Sequence, residues 1–162
     1  KFIIAPHEIN ASKIESFRQN IQKQSTLFSK NEETNISEYN VLIIDTVGLL
    51  TKIYSHADIA YIGGGMGDTG LHNILEPATF GVPIVIGNRF EKFPEAKELK
   101  ELKGLFSISN AAECSEILKK LVTDKNARIE SGKIAKKFIE NNKGATNTTM
   151  NYIKQLKGKS LI

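Results

Sequence analysis

His72, Asn73 and Glu76 stand within five residues of one another, directly after Gly63-Gly64-Gly65-Met66-Gly67-Asp68-Thr69-Gly70, a stretch in which five of eight residues are glycine. An imidazole, an amide and a carboxylate beside backbone stripped of side chains suit a charged, hydroxyl-rich ligand. Glycines let such a ligand reach main-chain N–H groups, and a helix opening here would offer about half a positive charge and free donors to a phosphate. A carboxylate one turn further in would repel that phosphate but accept from a diol, so ribose hydroxyls suit Glu76 better. Phosphate and diol together describe a sugar nucleotide.

A purely structural account covers part of this. With Asn73 as N-cap, Glu76 falls at N3 in a capping box, and Pro77 sits inside the first turn, where its missing N–H costs nothing. Five glycines still exceed what a strand-to-helix turn needs, and His72 at the helix mouth is left over. Gly65, Gly67 and Gly70 also satisfy G-x-G-x-x-G, the dinucleotide fingerprint. Three features argue against that use. The turn follows the fourth expected strand rather than the first. The next strand runs into Gly87, Asn88 and Arg89 with no acid for an adenosine ribose. Two polar residues also follow where the third glycine should pack on the sheet.

The elements that must hold these residues alternate along the chain. Apolar runs at Phe2–Ala5, Thr26–Ser29, Val41–Asp45, Asp58–Gly64, Pro83–Gly87 and Leu105–Ser109 read as strands. Helical spacing fills Glu8 to about Gln24, the segment from Thr46 to Ala57, a short helix from His72, Glu95–Leu102, Ala111–Val122, Asn126–Asn141 and Ala145–Leu156. Strands and helices in this order imply βαβ crossovers. The expected fold is one α/β domain with a Rossmann-like, doubly wound parallel sheet of about six strands and C-terminal helices. Ligands of such sheets bind beyond the carboxyl ends of the strands.

At 162 residues, 40% hydrophobic and 25% charged, the composition is that of one soluble globular domain. No run approaches the roughly 20 apolar residues of a membrane span. The chain opens on KFIIAP without an initiating Met, and the expectation is an excised domain whose upstream part is missing. The single cysteine, Cys114, excludes an internal disulfide and reads as a helix filler. Of the net charge of +4, a local excess arises between residues 118 and 159, where eleven Lys or Arg meet three Asp or Glu. Such a stretch attracts phosphates or anionic lipid, or is simply a solvated face. Only Phe138 and Tyr152 interleave with it, too few for a run of stacked bases, which argues against nucleic acid.

The central block resembles the C-terminal half of the 3-deoxy-D-manno-octulosonic acid (Kdo) transferases, GT-B glycosyltransferases of lipopolysaccharide assembly. The residues that carry the likeness are Asp45-Thr46-Val47-Gly48-Leu49-Leu50, Ala57-Asp58-Ile59-Ala60-Tyr61-Ile62-Gly63-Gly64, Gly70-Leu71-His72-Asn73-Ile74-Leu75-Glu76-Pro77-Ala78 and Gly81-Val82-Pro83-Ile84. The resemblance implies that residues 1–162 are the donor domain of a two-domain enzyme. This domain would bind CMP-Kdo as substrate, with no cofactor and no metal. The acceptor, a lipid A precursor, and the general base of an inverting transfer would belong to an N-terminal domain outside this chain, so no catalytic residue is expected here. By position, Asn73 and Glu76 would hold the ribose and phosphate region. The Gly67–Gly70 turn with Thr69 and His72 would face the phosphate, and Thr46, Val47 and Gly48 would lie near the base. The full-length protein would contact its own N-terminal domain and the membrane surface, at the cytoplasmic face of the bacterial inner membrane.

The chain departs from the family pattern in three places. Leu71 replaces a glycine, Leu49 replaces a glutamate, and His7 and Glu8 follow Pro6 where an arginine is usual. His7, Arg89 and Lys92 offer alternative cationic contacts to an anion. Two other readings share parts of this evidence. One is a GT-B enzyme or nucleotide-sugar epimerase using a UDP- or GDP-sugar. The other is a non-catalytic anion- or membrane-binding module built on the lysine-rich tail, part of whose apolar face, Met150, Ile153 and Leu156, would lack its partner in this chain.

Overall fold

The computed structural model describes residues 1–30, 32, 35–68 and 70–158. It divides into two compact units, Lys1–Ile53 and Tyr54–Ile162, each described by itself.

The first unit holds β1 (Phe2–Ile4), α1 (Ala11–Gln19), β2 (Ser25–Leu27) and β3 (Val41–Ile43). The strands pair in parallel in the order β1-β3-β2. Ile14 of α1 packs with Val41 and Ile43 of β3, and Ile4, Ile21 and Leu27 close the small core. The helix is shorter than the expected Glu8 to Gln24. Asn10 caps its start by accepting from Lys13 N at 3.1 Å, and Asn20 closes its end. Pairs of polar residues that bond locally end helices in this way.

The boundary between the units falls within α2 (Leu50–Tyr54). The second unit then runs β4 (Ala60–Ile62), α3 (Leu75–Thr79), β5 (Ile84–Gly87), α4 (Pro94–Glu101), β6 (Leu105–Ile108), α5 (Ala111–Thr123), α6 (Lys125–Asn142) and α7 (Ala145–Gly158). Its strands are parallel in the order β4-β5-β6. Every residue of the central strand β5 is buried, and its side chains alternate between two cores, as a pleated strand requires. Ile84 and Ile86 pack on one face with Ala78 of α3, Ala96 and Leu99 of α4, and Ala135 and Phe138 of α6. Val85 packs on the other with Ile108 and Leu121, against Cys114, Ile117 and Leu118 of α5. Helices thus cover both faces. Cys114 is the filler its context suggested, half-buried beside α5's other apolar residues.

All six expected strands form, all parallel and in two hydrogen-bonded sets of three. Residues 145–156 of α7 are exposed throughout, Met150, Ile153 and Leu156 among them at 47%, 39% and 42%. No helix among the described residues is long and apolar enough to cross a membrane.

Candidate functional site

The carboxyl end of β4 runs straight into the glycine turn, and most of the glycines are spent on the protein's own backbone. Gly64 has φ +89°, and a Cβ there would lie 1.9 Å from the Gly70 carbonyl oxygen. Gly65 lies on the exit of β5: a Cβ on Gly87 would fall 2.2 Å from the Gly65 carbonyl carbon, and Arg89 N donates to Gly65 O at 2.9 Å. His72 N donates to Gly63 O at 3.2 Å. The His72 ring then lies over the same backbone, with Cδ2 3.1 Å from where a Gly64 Cβ would be.

Gly67 differs. It is exposed, is not among the glycines at positive φ, and a Cβ on it would meet nothing within 4 Å. Among the described residues, neither backbone conformation nor internal packing calls for glycine there, and the space where a side chain would stand is open.

The entry to α3 corrects one expectation. The N-cap is Ile74, not Asn73, and its side chain makes no capping bond. Asn73 acts one residue earlier, as an Asx turn: its Oδ1 accepts from Leu75 N at 2.9 Å and its Nδ2 donates to Glu76 Oε1 at 3.0 Å. This bond orients the Glu76 carboxylate. The physical reason for the shift is that Ile74 already has helical φ/ψ and is buried at 2% exposure, so packing pulls it into the first turn. Pro77 lies inside the helix as expected, fully buried. With five residues, α3 sums few peptide dipoles, so any anion at this turn would depend on the amides of the turn itself.

Arg89, two residues past the end of β5, reaches back to the turn and forms an ion pair with Asp68 through Nη1 and Oδ1. Gly67, Gly70, His72 and Asn73 thus share the loop between β4 and α3, Arg89 reaches that loop through Asp68, and Glu76 follows in the first turn of α3. Lys92 is exposed, and among the described residues no contact ties it to the turn. Thr69 lies outside the described residues. Two participants were missed from sequence. Asp68 gave a signal only as an acid among glycines. Tyr54 is half-buried; burial pushes its phenol above the ordinary value of 10.0, and the negative charge of Glu76 adds to the shift.

Thr46, Val47 and Gly48 belong to the first unit, just past β3. Among the described residues, Thr46 Oγ1 is buried without a hydrogen-bond partner and Gly48, at φ +82°, has nothing within 4 Å of where a Cβ would be; Val47 is 86% exposed. Asp45 beside them is committed to the fold, accepting from Ser29 N at 2.9 Å and Ser29 Oγ at 2.5 Å. His7 lines a cleft of about 470 Å³ in the first unit with Ile4, Pro6, Ile14 and Phe17. The neighbouring Glu8 is held below its ordinary value, first by a hydrogen bond and then by the charge of Lys13.

No family model matches the chain. It is 30% identical over 95 residues to a bifunctional glycosyltransferase/methyltransferase of Fusobacterium nucleatum, covering 58% of this chain and 15% of that protein. It is 28% identical over 138 residues to the 3-deoxy-D-manno-octulosonic acid transferase of Haemophilus influenzae, covering 83% of this chain and 32% of that protein. The chain thus spans about a third or less of the length of these curated relatives. Among solved structures, the C-terminal CMP-Kdo binding domain of WaaA from Acinetobacter baumannii matches with a TM-score of 0.74 at 22% identity, over 85% of this chain and 72% of that one. The α/β fold expected from the sequence is shared with that domain.

Proposed function

We infer that this chain, related in sequence to the Kdo transferases along 83% of its length, is the donor-binding domain of such an enzyme and holds CMP-Kdo. The enzyme would transfer Kdo with inversion to a lipid A precursor in lipopolysaccharide assembly. The acceptor site and the general base would lie in an N-terminal domain outside this chain, and the work would be done at the cytoplasmic face of the inner membrane.

Within the fold, one observation carries the reading. A Cβ on Gly67 would meet nothing within 4 Å among the described residues, while Gly64, Gly65 and Gly70 around it are held by close backbone approach or positive φ. An opening at main-chain level, in a turn that pairs with an arginine through Asp68 and leads into a helix whose first turn holds a fixed carboxylate, would accommodate a nucleotide's phosphate and sugar. In this reading the amides of the Gly67–Gly70 turn, together with Thr69 and His72, meet the phosphate. Asn73 orients Glu76, and Glu76 accepts from the ribose hydroxyls. Arg89 meets the phosphate or the Kdo carboxylate, with Lys92 and His7 as further candidates for anion contact. In the first unit, the resemblance assigns Thr46, Val47 and Gly48 to the base. The orphaned Thr46 hydroxyl agrees with a group that waits for a ligand.

The test is a titration of the 162-residue chain with CMP, UDP and GDP, repeated on Glu76→Ala. A hydrogen bond to a charged group contributes about 1.5–3 kcal/mol, so Glu76→Ala should weaken CMP about tenfold or more. CMP should outcompete UDP and GDP, and the chain alone should transfer no Kdo. Equal CMP affinity in wild type and variant would reduce Glu76 to a helix-start residue. A preference for UDP or GDP would move the chain to another nucleotide-sugar enzyme.

A further inference from the structure

The Asp68–Arg89 pair is not accounted for by folding. Asp68 is 94% exposed and Arg89 58% exposed, and an ion pair in that much water adds little to stability. The pair is not needed to dock the turn on β5 either, because Arg89 N already bonds Gly65 O and the Gly65 and Gly87 backbones touch. What the pair does is set the charge beside the opening at Gly67. A guanidinium offers a planar fork of donors suited to phosphate or carboxylate. Here one nitrogen of that fork, Nη1, is engaged by a carboxylate of the protein itself, on the residue next in sequence to Gly67.

We propose that Asp68 is a built-in competitor for Arg89 that admits a nucleotide carrying one phosphate and penalises one carrying two or more. The inference rests on the reading of this turn as the nucleotide site. A single phosphate meets Arg89 and Asp68 together, a pair with no net charge. It can take the guanidinium while Asp68, almost fully exposed, turns to water at little cost. Each further phosphate brings charge that the guanidinium cannot also neutralise and that Asp68 repels. For a separation taken as about 7 Å and an effective dielectric of about 40–80, as befits exposed groups, this repulsion amounts to about three- to sevenfold in affinity per added charge.

The experiment titrates CMP, CDP and CTP, free of divalent metal and at low salt, into wild type, Asp68→Asn, Glu91→Gln and Gly67→Val. Glu91 is exposed nearby in sequence, and its substitution changes net charge by the same amount. Asp68→Asn should tighten CMP by about threefold, the value of an exposed pair, and CTP by about tenfold or more. The CTP-to-CMP affinity ratio therefore rises, while Glu91→Gln leaves it unchanged. An unchanged ratio in Asp68→Asn, or an equal rise in Glu91→Gln, overturns the proposal. Gly67→Val separates the two claims. If it abolishes CMP binding while the ratio ignores Asp68, the competitor fails and the nucleotide site stands. If CMP binding ignores Gly67→Val, the site itself is wrong and the competitor falls with it.

Discussion

Replacing Gly64 by alanine and Gly67 by valine, separately, should split the glycine turn into its two uses. At Gly64 a side chain meets two penalties. A left-handed backbone costs a residue with Cβ about 1–2 kcal/mol, and the Cβ would stand 1.9 Å from the Gly70 carbonyl oxygen. Because the obstacle is backbone rather than the end of a flexible side chain, the turn must shift, and overpacking of this kind adds about 1–3 kcal/mol. The sum is about 3 kcal/mol, which for a chain of this size lowers Tm by about 6–12 °C. Gly67 has no positive φ, and a Cβ on it would meet nothing within 4 Å among the described residues. A side chain there removes freedom from the unfolded chain and leaves Tm unchanged or about 1–3 °C higher. It should nevertheless weaken CMP by tenfold or more, because it fills the space left for the ligand. Thermal melting followed by circular dichroism reads the first effect, and calorimetric titration with CMP reads the second. A Gly64→Ala variant that melts with the wild type would refute the close approach. A Gly67→Val variant that binds CMP normally would refute the assignment of the opening to a ligand.

Two further predictions concern the scaffold. Gly132 of α6 lies against the loop after α3, where a Cβ would fall 2.0 Å from the Gly81 carbonyl oxygen; Gly132→Ala should lower stability by about 1–3 kcal/mol, measurable as a reduced urea midpoint at unchanged slope. Burial and the charge of Glu76 raise the Tyr54 phenol above 10.0, so the folded state holds this proton more tightly than the unfolded one. The corresponding stability is fully present below pH 10 and is lost as pH rises through the folded value. Tyr54→Phe should flatten that alkaline loss, and Glu76→Gln should bring the Tyr54 titration down when followed by tyrosinate absorbance; no movement in Glu76→Gln would separate the two residues.

The fold was legible because its strands are short β-branched runs between punctuating glycines and prolines. Ile84-Val85-Ile86 could hardly be anything but a strand buried on both faces, and Val41-Leu42-Ile43 reads almost as plainly. Helix ends were less legible. The spacing of Ile14, Phe17 and Ile21 does not reveal that Asn10 and Asn20 stop α1 short, since capping is decided by side-chain bonds and not by periodicity. The same limit explains the error at α3. Asn73 has the right residue type and spacing for an N-cap, yet Ile74 is drawn into helical geometry by its burial, which only the packed core determines. Within the site, the cluster of His72, Asn73 and Glu76 was local and therefore visible. The Asp68–Arg89 pair spans 21 residues and forms only because β5 pairs with β4, so nothing short of the register could show it.

The division of labour among the glycines also bears on how tightly a nucleotide can be held. Gly64 against Gly70, Gly65 against Gly87 and the Arg89 N–H on Gly65 O build the turn without any ligand, and Asn73 has already fixed the Glu76 carboxylate. Little backbone remains to be ordered on binding, and ordering is a main term opposing affinity. Against this, the opening lies on exposed residues, where charge pairs are screened and each contact adds little. Preorganisation and exposure pull in opposite directions, and their balance is modest affinity with strong dependence on ligand geometry. That balance suits a donor site whose product must leave after each transfer. It follows that CMP affinity should fall steeply with added salt while its dependence on Glu76 persists, because a fixed hydrogen bond to a diol is far less sensitive to ionic strength than an attraction between exposed charges.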